Sequence, residues 1–279
     1  MSHDANTHQY SDAVVTAVLE LALRAAPKHA AVIGLSGLQG SGKSTLATQI
    51  VSVASDHGID ALAISIDDFY LGRAARKQLA RNVHPLLKTR GVPGTHDVGL
   101  ALHTLDALHS ASPKHPAHAP RFDKGLDTRL PPSRWKKISH APRFVILEGW
   151  CIGVTPQTAS QLRPPINSLE CDEDPDGVWR TWVNAQIRAH YLRLWKRLDR
   201  LVLLQAPSFR IVEKWRDEQE RALRKRGAPH AQSQAAVRRF VMHYERLSRH
   251  EMKTLPAVAD MRIVLDEKRH VKRIVRKHR

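Results

Sequence analysis

Two cysteines in 279 residues, Cys151 and Cys171, are too few for a disulfide framework or a structural zinc site. They fit a reducing compartment, most simply the cytoplasm. Long apolar runs are also missing. The most apolar stretch, Ala13 to Leu23, is interrupted by Glu20 and falls short of the roughly 20 residues that a membrane span needs. It carries no basic leader and no cleavage site, so no signal peptide is expected. The 17 histidines include no His-Glu-x-x-His and no Cys/His spacing for zinc. His115 and His118 lie in a Pro/Ala loop and read as solvated. The Asn-Lys-x-Asp signature that specifies guanine is absent. Asp174-Pro175-Asp176-Gly177 matches Asp-x-x-Gly by letters only, because no apolar strand leads into it. There is no internal repeat and no heptad pattern.

Acidic residues are outnumbered: 44 Lys and Arg against 27 Asp and Glu leave a formal charge of +17. Such a balance invites a nucleic-acid partner. Part of the charge is gathered at residues 268–279, and a charge run is usually a solvated face or tail. No basic motif interleaved with aromatics accompanies it. Nucleic acid is therefore disfavoured as the main partner. A basic enzyme with anionic substrates is the simpler reading. Apolar residues make up 42%, ample for the core of one α/β domain with insertions.

What is present is a phosphate loop. Gly37-Leu38-Gln39-Gly40-Ser41-Gly42-Lys43-Ser44-Thr45 fits Gly, four residues, Gly-Lys-Ser/Thr. The apolar run Ala30 to Leu35 before it reads as a buried strand, and Thr45 to Val53 after it reads as a helix. The glycines let successive backbone N–H groups face a phosphate, and the helix N-terminus adds to that field. Lys43 is expected to reach the β- and γ-phosphates, and the Ser44 hydroxyl to ligate Mg²⁺.

The rest of the chain alternates strands and helices. A helix is predicted from Ser11 or Asp12 to Leu23, stopped by Pro27, after a polar start at Met1 to Gln9. Strands are predicted at Ala61–Ile66, Arg143–Leu147, Arg200–Gln205 and Arg262–Leu265, with Val271 to Val275 pairing nearby. Helices are predicted at Val98–His109, Trp179–Asp199, Phe209–Arg226 and Gln232–Ser248, with a break at Gly227 and Pro229. Leu71 to Arg90 reads as partly helical. Ser110–Pro120 reads as a loop without periodicity, and Thr155–Pro175 as an irregular exposed insertion. The fold class is α/β, a P-loop NTPase-type mostly parallel sheet with helices on both faces. We expect one domain over 1–279, with 1–29 as an N-terminal helical extension.

In a parallel sheet the strand carboxyl ends share an edge. Asp67 and Asp68, after the second strand, are thus expected beside the phosphates, with Glu148 closing a third strand in the manner of a Walker B acid. The spacing from Lys43 to Asp67 favours small-molecule kinases, in which a strand-two carboxylate activates the acceptor hydroxyl. Trp150 and Trp179 read as core residues rather than adenine platforms.

Ile66-Asp67-Asp68-Phe69-Tyr70 resembles the acidic motif of the uridine kinase, phosphoribulokinase and pantothenate kinase group. Pro93-Gly94-Thr95-His96-Asp97, Phe122-Asp123-Lys124 and Leu147-Glu148-Gly149-Trp150 more narrowly resemble the plant-type D-glycerate 3-kinases and their fungal and bacterial relatives. The resemblance runs from about Ala30 to the C-terminus. It implies transfer of the γ-phosphoryl group of ATP to a small hydroxy acid, with D-glycerate first. A nucleoside, pantothenate or a sugar phosphate are the alternatives, and a nucleic-acid-associated ATPase follows them. Asp67 is the expected base, with Asp68 as its alternate or a Mg²⁺-side residue; Glu148 joins Ser44 at the metal. Arg90, His96, Asp97, Lys124 and Arg129 are the acceptor-site candidates, since an arginine fork fits a carboxylate. The helix bearing Arg216, Arg221, Arg224 and Arg226 resembles the group's mobile lid (with the helix that follows, about 209–250), and Arg216, after Trp215, is expected at the nucleotide. The sequence leaves the oligomeric state open.

Overall fold

The computed structural model describes residues 9–25, 30–225 and 233–277. Six strands form the central sheet: β1 (Ala31–Gly37), β2 (Ala61–Ser65), β3 (Phe144–Gly149), β4 (Arg200–Gln205), β5 (Met261–Leu265) and β6 (Val271–Arg276). Their order is β6-β5-β4-β1-β3-β2. All neighbours run parallel except β6, which returns antiparallel along β5. Every residue of β1 and β3 is buried. That is what a strand covered on both faces requires, and it explains their unbroken apolar runs.

Helices cover both faces. One core packs α1 (Asp12–Leu23) and α2 (Lys43–Asp56) on β1, through residues such as Val14, Val18, Leu46 and Ile50. The predicted N-terminal extension is thus built into the core through α1. The other core packs α4 (Val98–His109) and the helical stretch from Val178 to Trp195, after the surface helix α3 (Arg73–Asn82). Within Val178–Trp195 the first helix, α5 (Val178–Gln186), gives way to a π turn at Ile187–Tyr191. Helices α6 (Ile211–Lys225) and α7 (Gln234–Val258) complete the molecule.

Several expectations are corrected. The phosphate-loop helix starts at Lys43, two residues early, because Gly42 caps it with φ 90. Asp67 and Asp68 sit in a 3-10 turn, Ile66–Phe69, capped by the Ser65 hydroxyl, which accepts from the Asp67 amide. Ala117–Ala119 pairs with Lys136–Ile138, so the region read as a featureless loop holds a strand. The 155–175 insertion holds two short helices, Ala159–Leu162 and Ser168–Glu173. It is anchored, not loose: Glu170 is fully buried against Arg246, and Asp174 is buried against Arg180. Helix α7 runs ten residues beyond Ser248. The basic C-terminal run largely forms the edge strand β6, where outward Lys and Arg discourage a further strand from pairing. Among the predicted features, the polar start before Gln9, Pro27, Arg226 and the break at Gly227 and Pro229 lie outside the described residues.

Candidate active site

Register decides which side chains meet. Leu35 pairs with Glu148 and Ser36 with Gly149, while Ser65 on β2 pairs with Glu148 from the other side. Three strands therefore end on one line, and the phosphate loop, Glu148 and Asp67 follow them into one cleft.

The phosphate loop is shaped from several directions. Gly40 sits at φ 80, and a Cβ there would lie 2.7 Å from Trp215 Cβ. Only glycine allows both the turn and the contact. Trp215 is fully buried and its indole N–H donates to the Glu267 carbonyl. Arg269 lies over that indole, 5.1 Å from the ring centre, and its Nε donates to the Gly40 carbonyl at 2.7 Å. From the opposite end of the chain, the Tyr10 hydroxyl donates to the Ser41 carbonyl at 2.6 Å. Lys43 Nζ donates to the carbonyls of Gly37 and Leu38 at 2.8 and 3.0 Å. The Ser41 hydroxyl and both polar atoms of the Gln39 amide are buried without a protein partner. Unsatisfied polar groups and an amide-lined helix start are what a polyphosphate would satisfy.

Beside this loop, Ser44 Oγ donates to Glu148 Oε1 at 2.8 Å, so the expected metal-side pair is assembled. Burial raises the pKa of Glu148, with Lys43 opposing the shift. Beneath the loop lies a residue that the sequence reading missed. Glu251 on α7 is buried and accepts from Ser36 Oγ at 3.0 Å. Burial pushes its carboxyl up, and burial pushes the Lys43 ammonium down, each opposed by the other's charge. Its signal in the sequence is an acid on the buried stripe Leu247, Glu251, Leu255.

Asp67 faces the loop from the end of β2. Its Oδ1 accepts from the Tyr70 hydroxyl and its Oδ2 from Lys124 Nζ, both at 2.7 Å. Burial alone would raise its pKa; the charge and hydrogen bond of Lys124, with Tyr70, outweigh burial and hold it low. Asp68 turns elsewhere. Its Oδ1 accepts from the Phe122 amide at 3.1 Å, and burial raises its pKa.

The 91–97 segment is stitched to this turn. Leu71 N donates to the Thr95 carbonyl and Asp97 N to the Phe69 carbonyl. Gly94 stands at φ 95 hard against Trp182, where a Cβ would come within 2.3 Å. The His96 ring stacks on Tyr70 at 4.6 Å between centres. Its Nδ1 lies 2.7 Å from the Tyr191 hydroxyl, whose oxygen also accepts from Gly94 N at 2.9 Å. Burial lowers the His96 pKa to about 4, so the ring is neutral at pH 7. Its Nε2 is buried with no protein partner. Tyr191, the last residue of the π turn, was not singled out from sequence.

Ion pairs close the far side. Arg129 pairs with Asp97 at 3.2 Å, and Asp97 also caps α4 through the Leu100 amide. Arg90 pairs with Asp127. Arg216 lies over the Phe240 ring at 5.3 Å and pairs with Glu220 at 2.9 Å. It remains close enough to act on Tyr244, whose hydroxyl donates to the Arg90 carbonyl. Arg221 instead pairs with Asp217 on its own helix, and the Arg224 side chain lies outside the described residues. Trp150 and Trp179 are both core residues, as read from sequence.

Phosphoryl transfer is the chemistry that this sheet edge is built to support, and the chain is an ATP-dependent P-loop kinase. It is 34% identical over 220 residues to an uncharacterized kinase of Schizosaccharomyces pombe, covering 76% of this chain and 78% of that protein. It is 30% identical over 221 residues to the chloroplastic D-glycerate 3-kinase of Arabidopsis thaliana, covering 76% of this chain and 46% of the plant protein. The chain belongs to the P-loop kinase family of the Schizosaccharomyces pombe protein, and its homologues include the plant D-glycerate 3-kinase. A solved structure of D-glycerate 3-kinase from Cryptococcus neoformans superposes with a TM-score of 0.76, covering 96% of this chain and 100% of that one; at 21% identity this speaks for the fold. No family model matches the chain. Among the described residues no helix is long and apolar enough to cross a membrane.

Proposed function

We propose that this kinase phosphorylates a hydroxyl of a small hydroxy acid, with D-glycerate, the acceptor in the plant relative's name, as first candidate. The observation that carries the reading is the setting of Asp67. Its carboxylate lies just past β2 beside the phosphate loop and is held by Lys124; Arg90, which donates to the Lys124 carbonyl, and Arg129, paired with Asp97, are further cations of the adjoining segments. An acceptor held there with its carboxylate toward the arginines turns its hydroxyl to Asp67.

Phosphoryl transfer depends mainly on placement and charge. Asp67 takes the hydroxyl proton as the acceptor oxygen bonds to the γ-phosphorus. The bond from that phosphorus to the bridging oxygen breaks, and ADP leaves. Lys43 and the loop amides of Gly37 to Thr45 hold the phosphates, and Arg216 adds positive charge from α6. Mg²⁺, when bound, would neutralise the β- and γ-oxygens; Ser44 and Glu148 are the residues placed to hold it. His96, a neutral imidazole with Nε2 unpartnered, fixes an acceptor oxygen or hydroxyl through that nitrogen, and Asp97 holds Arg129 in place. Asp68 supports the site by anchoring Phe122 and its hairpin.

Helix α6 is pinned at its start by buried Val212 and Trp215, and α7 is packed into the core through Val237, Val241, Tyr244 and Leu247, so any lid closure belongs to the part of α6 beyond Arg216. The two cysteines are unpaired, which fits a reducing compartment such as the cytoplasm.

The decisive experiment is ADP release from Mg-ATP with and without D-glycerate, in purified protein and in Lys43→Ala. Glycerate-dependent release lost in the variant is expected. Release that is stimulated by a nucleoside, pantothenate or a sugar phosphate, and not by any hydroxy acid, would overturn the acceptor.

A further inference from the structure

A short hairpin, Phe122–Asp123 paired with Thr128–Arg129, projects a turn across the acceptor side. Both charged side chains of that turn are engaged. Lys124 pairs with Asp67 at 2.7 Å. Asp127 is held by three guanidinium groups: Arg76 at 2.6 Å, Arg73 at 3.5 Å, and Arg90. Arg76 is the unusual member. Its side chain is 3% exposed, and its Nε and Nη1 are fixed by the carbonyls of Leu71 and Lys88. A buried guanidinium so placed needs an anion at its remaining edge. The anion it has is borne by a turn between two-residue strands, with Leu126 largely exposed at its tip. Asp127 itself stands at φ 53, in the left-handed region that non-glycine residues seldom enter.

These contacts mirror what a hydroxy acid would make. Its carboxylate seeks a fixed guanidinium fork, and its hydroxyl seeks Asp67. The turn supplies a carboxylate to the fork and an ammonium to Asp67, from residues three apart. Arg90 also donates to the Lys124 carbonyl at 3.5 Å, so the two contacts adjoin.

We propose that Arg73, Arg76 and Arg90 form the carboxylate subsite for the acceptor, and that Asp127 is its resident occupant, displaced when the acid binds. As Asp127 leaves the fork, the turn carries Lys124 off Asp67, freeing the carboxylate that takes the hydroxyl proton. The empty enzyme thus keeps both its anion-binding fork and its proton acceptor occupied by its own chain. The proposal rests on the hydroxy-acid reading above.

The test is Asp127→Asn, which keeps the shape and removes the charge. Freeing a self-occupied site removes its conformational cost, so KM for D-glycerate is expected to fall by about threefold to tenfold. Binding of glycerol, the neutral analogue, should not tighten. An unchanged or raised KM in a variant with wild-type circular dichroism would make Asp127 a structural clasp and overturn the proposal. Because loss of this charge can loosen the hairpin, the unaltered protein supplies a second readout. Saturating D-glycerate should accelerate hydrogen exchange at the Gly125 and Leu126 amides, which now donate to Asp123. Slower or unchanged exchange there counts against displacement. Wild-type turnover of D-glycerate with a negative result in both arms removes the resident occupant alone. Wild-type turnover of no hydroxy acid removes the acceptor reading and this subsite with it.

Discussion

The two sides of the cleft are held by different physics. On the nucleotide side, backbone geometry dominates: glycines at positive φ, a buried lysine on loop carbonyls, and Tyr10, Trp215 and Arg269 packed around the loop. On the acceptor side, ion pairs between loops dominate: Lys124 with Asp67, Arg129 with Asp97, Arg90 with Asp127. A polyphosphate presents the same oxygens in every nucleoside triphosphate, so a seat made of main chain suits it. An acceptor is recognised by its own charges, and side chains that exchange partners suit that task.

Breaking the acceptor side at its centre has the largest expected effect. Asp67→Asn should lower kcat by about 10²–10⁴-fold while leaving KM for ATP near normal. Near-normal turnover would mean that Asp67 is not the base, and Asp68→Asn would be examined next. Breaking the nucleotide side, Lys43→Ala should cost about 10²–10³-fold in turnover and, in contrast, weaken ATP binding as well. If both variants altered only kcat, the division between the two sides would be false.

Protonation sharpens the comparison. His96 is neutral in the fold with a pKa of about 4, against 6.5 in the open chain. Between those values the unfolded chain binds the proton and the folded one does not. Stability should therefore be fully present above pH 6.5 and be lost as pH falls toward 4, by about 3 kcal/mol from this group. Denaturant midpoints across that window, compared with His96→Asn, would show it; parallel curves for the two proteins would refute it. The smallest effect belongs to the loop's N-terminal brace. Tyr10→Phe removes one buried hydrogen bond and should cost about 1 kcal/mol, read as a rise of roughly fivefold in KM for ATP with kcat kept. An unchanged KM would show that ring packing alone holds the loop.

Much of the nucleotide side was legible because its signals are local. A strand, a glycine loop and a helix start follow one another from Ala31 to Lys43, and an acid after two of the apolar runs, Asp67 and Glu148, marks a strand's carboxyl end. The acceptor residues were named only through family resemblance, and their pairings were not legible at all. Lys124 meets Asp67 across 57 positions and Arg90 meets Asp127 across 37, with no periodicity to announce either. Tyr191 lies inside the stretch read as one helix, Trp179–Asp199; the π turn that ends at it has no plain sequence mark. Thr155–Pro175 was read as exposed because its composition is polar. Two buried arginine–carboxylate pairs, made with residues elsewhere in the chain or at its far end, override that composition.

Composition, apolar periodicity and one glycine motif by themselves determined the α/β class, the strand that leads into the phosphate loop and the acids that flank it, because hydrophobic burial and backbone turns act over neighbouring residues. Only the tertiary structure decided that Glu251 lies beneath Lys43, that His96 is buried and neutral, and that three arginines converge on Asp127. Charge and burial act through space, and their strength depends on which distant segments the fold brings to within a few ångströms.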